Sequence, residues 1–204
     1  MARAPFGFDG PVRRAVHRLK FGGWRAVAEA LADAMARSWS VAAWPADVAA
    51  WVPLSRERLA ARGYDQARAL ALAVAPRIGV PISGLVRRVS DPGPQARRGG
   101  VLRREAMVGI FAPAGRVSGR VLLIDDVLTT GATAGACADA LLAGGAADVG
   151  LLTAARAVSS ARRPGPPILG VGLASGSVVA PGNGSPAVDA SRGRSDPRKP
   201  TLGR

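Results

Sequence analysis

Apolar and polar positions along this chain follow two periods. Residues 11–21, PVRRAVHRLKF, and 24–39, WRAVAEALADAMARSW, repeat at helical spacing, with Val27, Leu31, Ala34 and Met35 sharing one face. Pro11 suits the opening turn of the first helix, and Gly22-Gly23 ends it. ADVAAWVPL predicts a strand closed by Pro53, followed by a basic turn, SRERLAARGY. A third helix is predicted over DQARALALAVAPRIG, with Asp65 as its N-cap. VPISGLV and IFAP read as short strands. VLLI, at 121–124, is too short for a helix and begins with β-branched Val121, which predicts a strand buried on both faces. Residues 131–144 predict a helix stopped by Gly144-Gly145, and DVGLLTAARA a last buried strand. Strands alternating with helices predict an α/β fold with a mostly parallel sheet flanked by helices.

Two stretches leave the pattern. Residues 87–106, RRVSDPGPQARRGGVLRREA, are arginine-rich and broken by Pro and Gly, so a loop or hairpin is expected. From Ser159 to the end, Pro, Gly, Ser and Arg dominate around one apolar patch, ILGVGLA, which predicts a disordered tail over 159–204.

The chemistry concentrates at VLLIDDVLTTGAT, residues 121–133. Here a buried strand is expected to end in two adjacent carboxylates, Asp125 and Asp126, followed by a turn holding Thr129, Thr130, Gly131 and Thr133. Such a turn lies at the carboxyl end of a parallel strand, where open α/β sheets bind ligands. Its free backbone N–H groups, the positive end of the following helix and the hydroxyls all favour a phosphate. Adjacent carboxylates repel each other, and hydroxyl donors or a cation make them tolerable. A ligand with a phosphate at one end and a diol in the middle satisfies both halves. A sugar phosphate fits.

Composition narrows this reading only slightly. The 204 residues hold one core of ordinary size, built mainly from Ala, Val and Leu because aromatics are only 4 %. A net charge of +14 favours polyanions: a pyrophosphorylated sugar, single-stranded nucleic acid or an anionic membrane surface, among which charge alone does not choose. Lys20 and Lys199 are the only lysines in an arginine-biased chain. The single cysteine, Cys137, excludes an internal disulfide or a multi-cysteine metal site, and its place on a predicted helix suits a packed thiol. No apolar run is long enough to span a bilayer and MARAPFGFDG has no signal-peptide pattern, so a cytoplasmic protein is expected. Hydrolase and NTPase readings find no Ser-His-Asp set, metal-ligand cluster or P-loop.

The thirteen residues 121–133 resemble the signature of type I phosphoribosyltransferases, which bind 5-phosphoribosyl pyrophosphate (PRPP). Three further elements are similar to the ComF branch of that family, named for competence proteins. These are HRLKFGG; VPL with RERLAARGYDQA; and Gln95, Arg104 and Phe111 at the spacing of a basic hood loop. The resemblance reaches from residue 9 to residue 157. It implies a phosphoribosyltransferase-like domain over 1–158, with hood-forming helices in 9–45 and an α/β core in 46–158. It also implies that Asp125 and Asp126 lie against the ribose hydroxyls. Thr129, Thr130, Gly131, Ala132 and Thr133 would then wrap the 5′-phosphate, with Val127 and Leu128 also counted among the PRPP-binding residues.

The implied activity is transfer of a phosphoribosyl group from Mg²⁺-PRPP to an unidentified acceptor with release of pyrophosphate. Arginine guanidinium groups suit the leaving group's charge. Arg56, Arg58 and Arg62 follow the first core strand and are candidates for the pyrophosphate side, while Arg97, Arg98, Arg103 and Arg104 lie on the expected mobile loop. Arg62 and Arg104, with the two acids, are the candidate catalytic groups, and Lys20 a candidate contact to PRPP. For Lys20 and His17 a surface salt bridge or solvated face is an alternative, and for Tyr64 and Gln66 packing and capping. Mg²⁺ is expected to travel with PRPP. Zinc is not expected, since the chain has no counterpart of the family's cysteine-rich segment. Asp65 stands where Asn is usual, and Met107 where the hood loop has Asn, so the resemblance supports PRPP binding more strongly than turnover. Other readings are a non-catalytic protein that senses nucleotides or assists DNA uptake, and a scaffold with a degenerate site. Weak binding of single-stranded nucleic acid and a homodimer are further expectations.

Overall fold

In the computed structural model, residues 1–21, 25–90 and 109–157 are described, and they lie within the compact unit Met1–Gly165. The 91–108 segment, with Gln95, Arg97, Arg98, Arg103, Arg104 and Met107, falls outside the described residues, as do Gly22-Gly23 and the 159–204 tail.

Two-residue strands β1 (Ala2–Arg3) and β2 (Phe6–Gly7) precede helices α1 (Gly10–Phe21) and α2 (Arg25–Ser40). Strand β3 (Val48–Trp51) leads to α3 (Arg56–Arg62) and α4 (Gln66–Ile78). An antiparallel pair, β4 (Val86–Arg88) and β5 (Phe111–Pro113), is followed by β6 (Arg120–Leu128), α5 (Ala132–Ala143) and β7 (Asp148–Arg156). The main sheet is parallel in the order β1-β7-β6-β3, with β2 also on β7, and the expected mostly parallel sheet flanked by helices is what forms. β4 and β5 pair antiparallel in a separate small sheet.

Strand alternation sorts the core into two layers. Leu122 and Ile124 of β6, with Leu152 and Ala154 of β7, face α1, α2 and α4. Val121 and Leu123, with Ala50 and Val52, face α5 and the β4–β5 pair. Leu31 and Met35 of α2 are buried as their spacing predicts, and Val27 packs at the margin of that layer. At the opposite sheet edge from the acids, Asp47 grips the Arg120 guanidinium at 3.0 and 2.8 Å and its backbone N–H at 2.7 Å, fixing the starts of β3 and β6 together.

Four local expectations change. SRERLAARGY is not a turn but contains α3, capped by Ser55, whose Oγ accepts from Arg58 N–H at 3.2 Å, and ended by left-handed Gly63 at φ 74°. No α3 residue is buried, so the helix carries no hydrophobic stripe to read. VPISGLV is not a strand throughout: Ile82 forms one isolated bridge to Ala49, and regular pairing begins only at Val86. Residues 1–8 add β1 and β2 to the sheet, elements too short for a periodic signal. Finally, the strand over VLLI does not stop before the acids but runs on to Leu128.

Candidate functional site

That last change places the carboxylates. On one side β6 keeps its partner past the acids, with Asp125 opposite Thr153, Val127 opposite Ala155 and Leu128 opposite Arg156. On the other side β3 ends with Trp51 opposite Ile124, and Val52 N–H makes a further bond to Ile124 C=O at 3.0 Å. The acids therefore stand in the step where the sheet loses one strand, at its carboxyl edge. This is the crevice where parallel sheets bind ligands.

Alternation along β6 sends the two side chains to different sides. Asp126 follows Leu122 and Ile124 toward the α1 layer, where its Oδ2 meets Lys20 Nζ at 3.1 Å. Asp126 is only 5 % exposed. Asp125 follows the α5 layer, is half-buried, and its Oδ1 accepts from Asp126 N–H at 2.8 Å. Loss of surrounding water pushes the Asp125 carboxyl well above the usual carboxylate range, and the Asp126 charge adds to this. The Asp126 N–H and Lys20 oppose the shift.

Beyond Leu128 the chain turns into α5. Gly131 occupies the N-cap position with φ 77° and ψ −1°, and no side chain of that residue caps the helix. Thr130 Oγ1 accepts from Ala132 N–H at 3.4 Å. First-turn N–H groups of a helix have no internal partner, and together with the dipole they attract an anion. Asp125, Thr129, Gly131, Thr133 and Thr153 are among the residues lining a small cavity of ≈ 40 Å³ at this turn. Thr129 and Thr130 are exposed.

Asp65 flanks the acids from the β3 side. It is the N-cap of α4, as its position predicts, with Oδ1 accepting from Ala67 and Arg68 N–H at 2.9 and 3.1 Å. Its Oδ2 accepts from Leu54 N–H at 3.2 Å, so both oxygens act as acceptors. An asparagine offers one acceptor oxygen and would set its NH₂ against a donor. The aspartate at this position thus has a structural reason. Burial raises its carboxyl above the usual range despite these three bonds, and Asp126 contributes in the same direction.

The remaining candidates divide. Arg56 and Arg58 are exposed at the start of α3, just beyond β3. Arg62, at its end, donates to Gln66 Oε1 at 2.9 Å and lies 5.1 Å from the centroid of the Phe21 ring. Phe21 is 64 % exposed and also packs on His17, with ring centroids 4.7 Å apart. Phe21 is the aromatic of the HRLKFGG element, and its contacts with Arg62 and His17 could not be read from the sequence. Lys20 and His17 do not pair with each other: Lys20 turns to Asp126, and His17 to Phe21. Arg62, Tyr64 and Asp65 also border a larger hollow of ≈ 900 Å³ between α2, α3 and α4. Cys137 is a buried thiol on α5, pushed up by burial and by the Asp125 charge.

The described residues contain no group of three or more His, Cys, Asp or Glu side chains arranged to hold a metal ion. The carboxylates of Asp65, Asp125 and Asp126 are engaged by Lys20 and by backbone N–H groups. That set suits a divalent ion held by the ligand's own oxygens and does not form a protein cage for one. No helix among the described residues is long and apolar enough to cross a membrane.

No protein-family model matches the chain. Among solved structures it is similar to the glutamine PRPP amidotransferase from B. subtilis complexed with ADP and GMP. The TM-score is 0.42 and the identity 23 %, over 61 % of this chain and 25 % of that one. Among curated proteins it is similar to an adenine phosphoribosyltransferase from Frankia alni, with 41 % identity over 118 residues. The match covers 53 % of this chain, which spans 59 % of that relative's length.

Proposed function

We propose that this chain is a type I phosphoribosyltransferase-like protein that binds PRPP at the β6–α5 turn and transfers its phosphoribosyl group to an acceptor. One observation carries the reading: two acids in the step of a parallel sheet lead into a glycine-capped helix start, whose first-turn N–H groups have no partner within the helix. On this reading the 5′-phosphate of a ribose phosphate would take the N–H groups while its 2′- and 3′-hydroxyls donate to Asp125 and Asp126. The likeness to a curated phosphoribosyltransferase supports the same reading.

Transfer forms a bond from the acceptor nucleophile to C1′ and breaks the bond from C1′ to the pyrophosphate oxygen. Positive character develops on the ribose and negative charge on the leaving group. The carboxylates beside the ribose favour the first, and guanidinium groups at the start of α3 favour the second. Arg56 and Arg58, exposed at the start of α3, are our candidates to receive pyrophosphate among the described residues, and Arg62 is assigned a supporting part through Gln66. A Mg²⁺ ion bound to the pyrophosphate neutralises further charge. The ComF branch remains our assignment for the N-terminal elements, and the acceptor is a small nucleophile of undetermined class.

Calorimetry with PRPP and Mg²⁺ tests the site. Binding is expected for the wild type and a loss of at least tenfold for the Asp125→Asn, Asp126→Asn double variant; unchanged binding in that variant would remove the proposal. Release of pyrophosphate, measured against a panel of bases, amines and amino acids, then identifies the acceptor.

A further inference from the structure

We propose that Lys20 is the resident counter-ion of the paired acids. It balances Asp126 so that the site grips a sugar diol without a metal ion on its carboxylates. This rests on the phosphopentose reading above and assigns the metal requirement to the pyrophosphate end alone.

The contact is close and sheltered. Lys20 Nζ lies 3.1 Å from Asp126 Oδ2, with the lysine side chain 25 % exposed and the aspartate side chain 7 %. The ammonium is delivered by a fixed element: Val16 and Leu19 of α1 are fully buried in the core layer. α1 contains no acidic residue that would draw Lys20 away. A compact ammonium also suits the position, because it acts as a point charge and leaves the second carboxylate oxygen open to another donor.

Asp65 adds a third carboxylate close to the two acids, which stand on opposite faces of β6. Asp65 has both oxygens on backbone N–H groups, and Asp125 has one on Asp126 N–H. The contacts described engage one oxygen of each signature acid, and on the phosphopentose reading the second oxygens are the ones assigned to the ligand's hydroxyls. A divalent ion on Asp126 would stand beside the ammonium, and like charges at such separation repel. Lysine and metal are alternatives at this carboxylate.

Ribose 5-phosphate separates the two ends of the ligand, since it keeps the diol and the 5′-phosphate and lacks pyrophosphate. Calorimetry on the full chain with this sugar, in Mg²⁺ and in EDTA, is expected to give wild-type affinities within about twofold of each other. Lys20→Met should bind at least about tenfold more weakly in EDTA, the loss of one charge-balancing contact, and recover part of that in Mg²⁺. Lys20→Arg should stay closer to the wild type and metal-independent. A wild-type affinity that falls tenfold or more in EDTA, or a folded Lys20→Met that binds like the wild type in EDTA, would overturn the inference while leaving the phosphopentose site standing. Absence of ribose 5-phosphate binding in both buffers would overturn both. The wild-type comparison needs no variant, so it decides the matter even if Lys20→Met fails to fold.

Discussion

Replacing Gly131 with alanine isolates the backbone of the turn from its side chains. Gly131 holds φ 77°, and a methyl group added there would lie 3.5 Å from Leu128 Cδ1, an ordinary contact. Sterics with the neighbours are therefore small, and the perturbation is conformational. Holding an L-residue in the left-handed region costs roughly 1–2 kcal/mol. Removing glycine's freedom from the unfolded chain returns about 0.4–1 kcal/mol. The net expectation for Gly131→Ala is a destabilisation of roughly 0.5–1.5 kcal/mol, with Gly131→Asn less affected because asparagine tolerates this region. Urea unfolding followed by tryptophan fluorescence measures the loss, and PRPP calorimetry shows where it goes. If alanine keeps the left-handed turn, stability falls and affinity is retained. If the turn relaxes, stability recovers and the N–H groups leave the phosphate, so affinity falls. An alanine variant equal to the wild type in both stability and affinity would refute the claim that this glycine sets the cradle.

Other consequences are equally direct. The raised Asp125 carboxyl means that its ionisation opposes folding: its stabilising contribution is complete below the ordinary carboxylate value of 3.8, and is lost as pH rises through the higher folded value. Wild-type urea midpoints should therefore gain on acidification from neutral pH relative to Asp125→Asn, and parallel pH profiles would contradict this. A methyl group at Gly150 would lie 2.5 Å from Trp39 Cη2 and 3.1 Å from Trp44 Cζ3. Gly150→Ala should destabilise by about 1–3 kcal/mol in urea unfolding, and Trp39→Phe in the same chain should recover part of the loss. The buried, upward-shifted thiol of Cys137 should resist iodoacetamide at pH 8 in the native protein and react once urea unfolds it, as mass spectrometry would show.

The parts that were legible are those whose periodicity is enforced by burial. β6 and α5 could be read because Val121 to Ile124 are fully buried, and glycines bracket the helix. The acids and the threonine-glycine turn were readable as a sequence of functional groups. Their distribution over two faces of β6 was not, because it required knowing that the strand continues beyond its neighbour β3. α3 was hidden for the opposite reason: all its residues lie outside the core, so only Ser55 and Gly63 mark its ends. The Lys20–Asp126 pair spans more than a hundred positions, and spacing along the chain carries no trace of such a contact.

The Asp65 bond to Leu54 N–H closes the segment 54–65 on itself, with α3 inside the ring. An arginine-bearing strap fastened at both feet loses little backbone freedom when an anion arrives, since that freedom was surrendered when the domain folded. On the proposed reading, its affinity for a phosphorylated ligand depends chiefly on the reach of the side chains, and opening the ring at Asp65 would leave a tether that must first be organised.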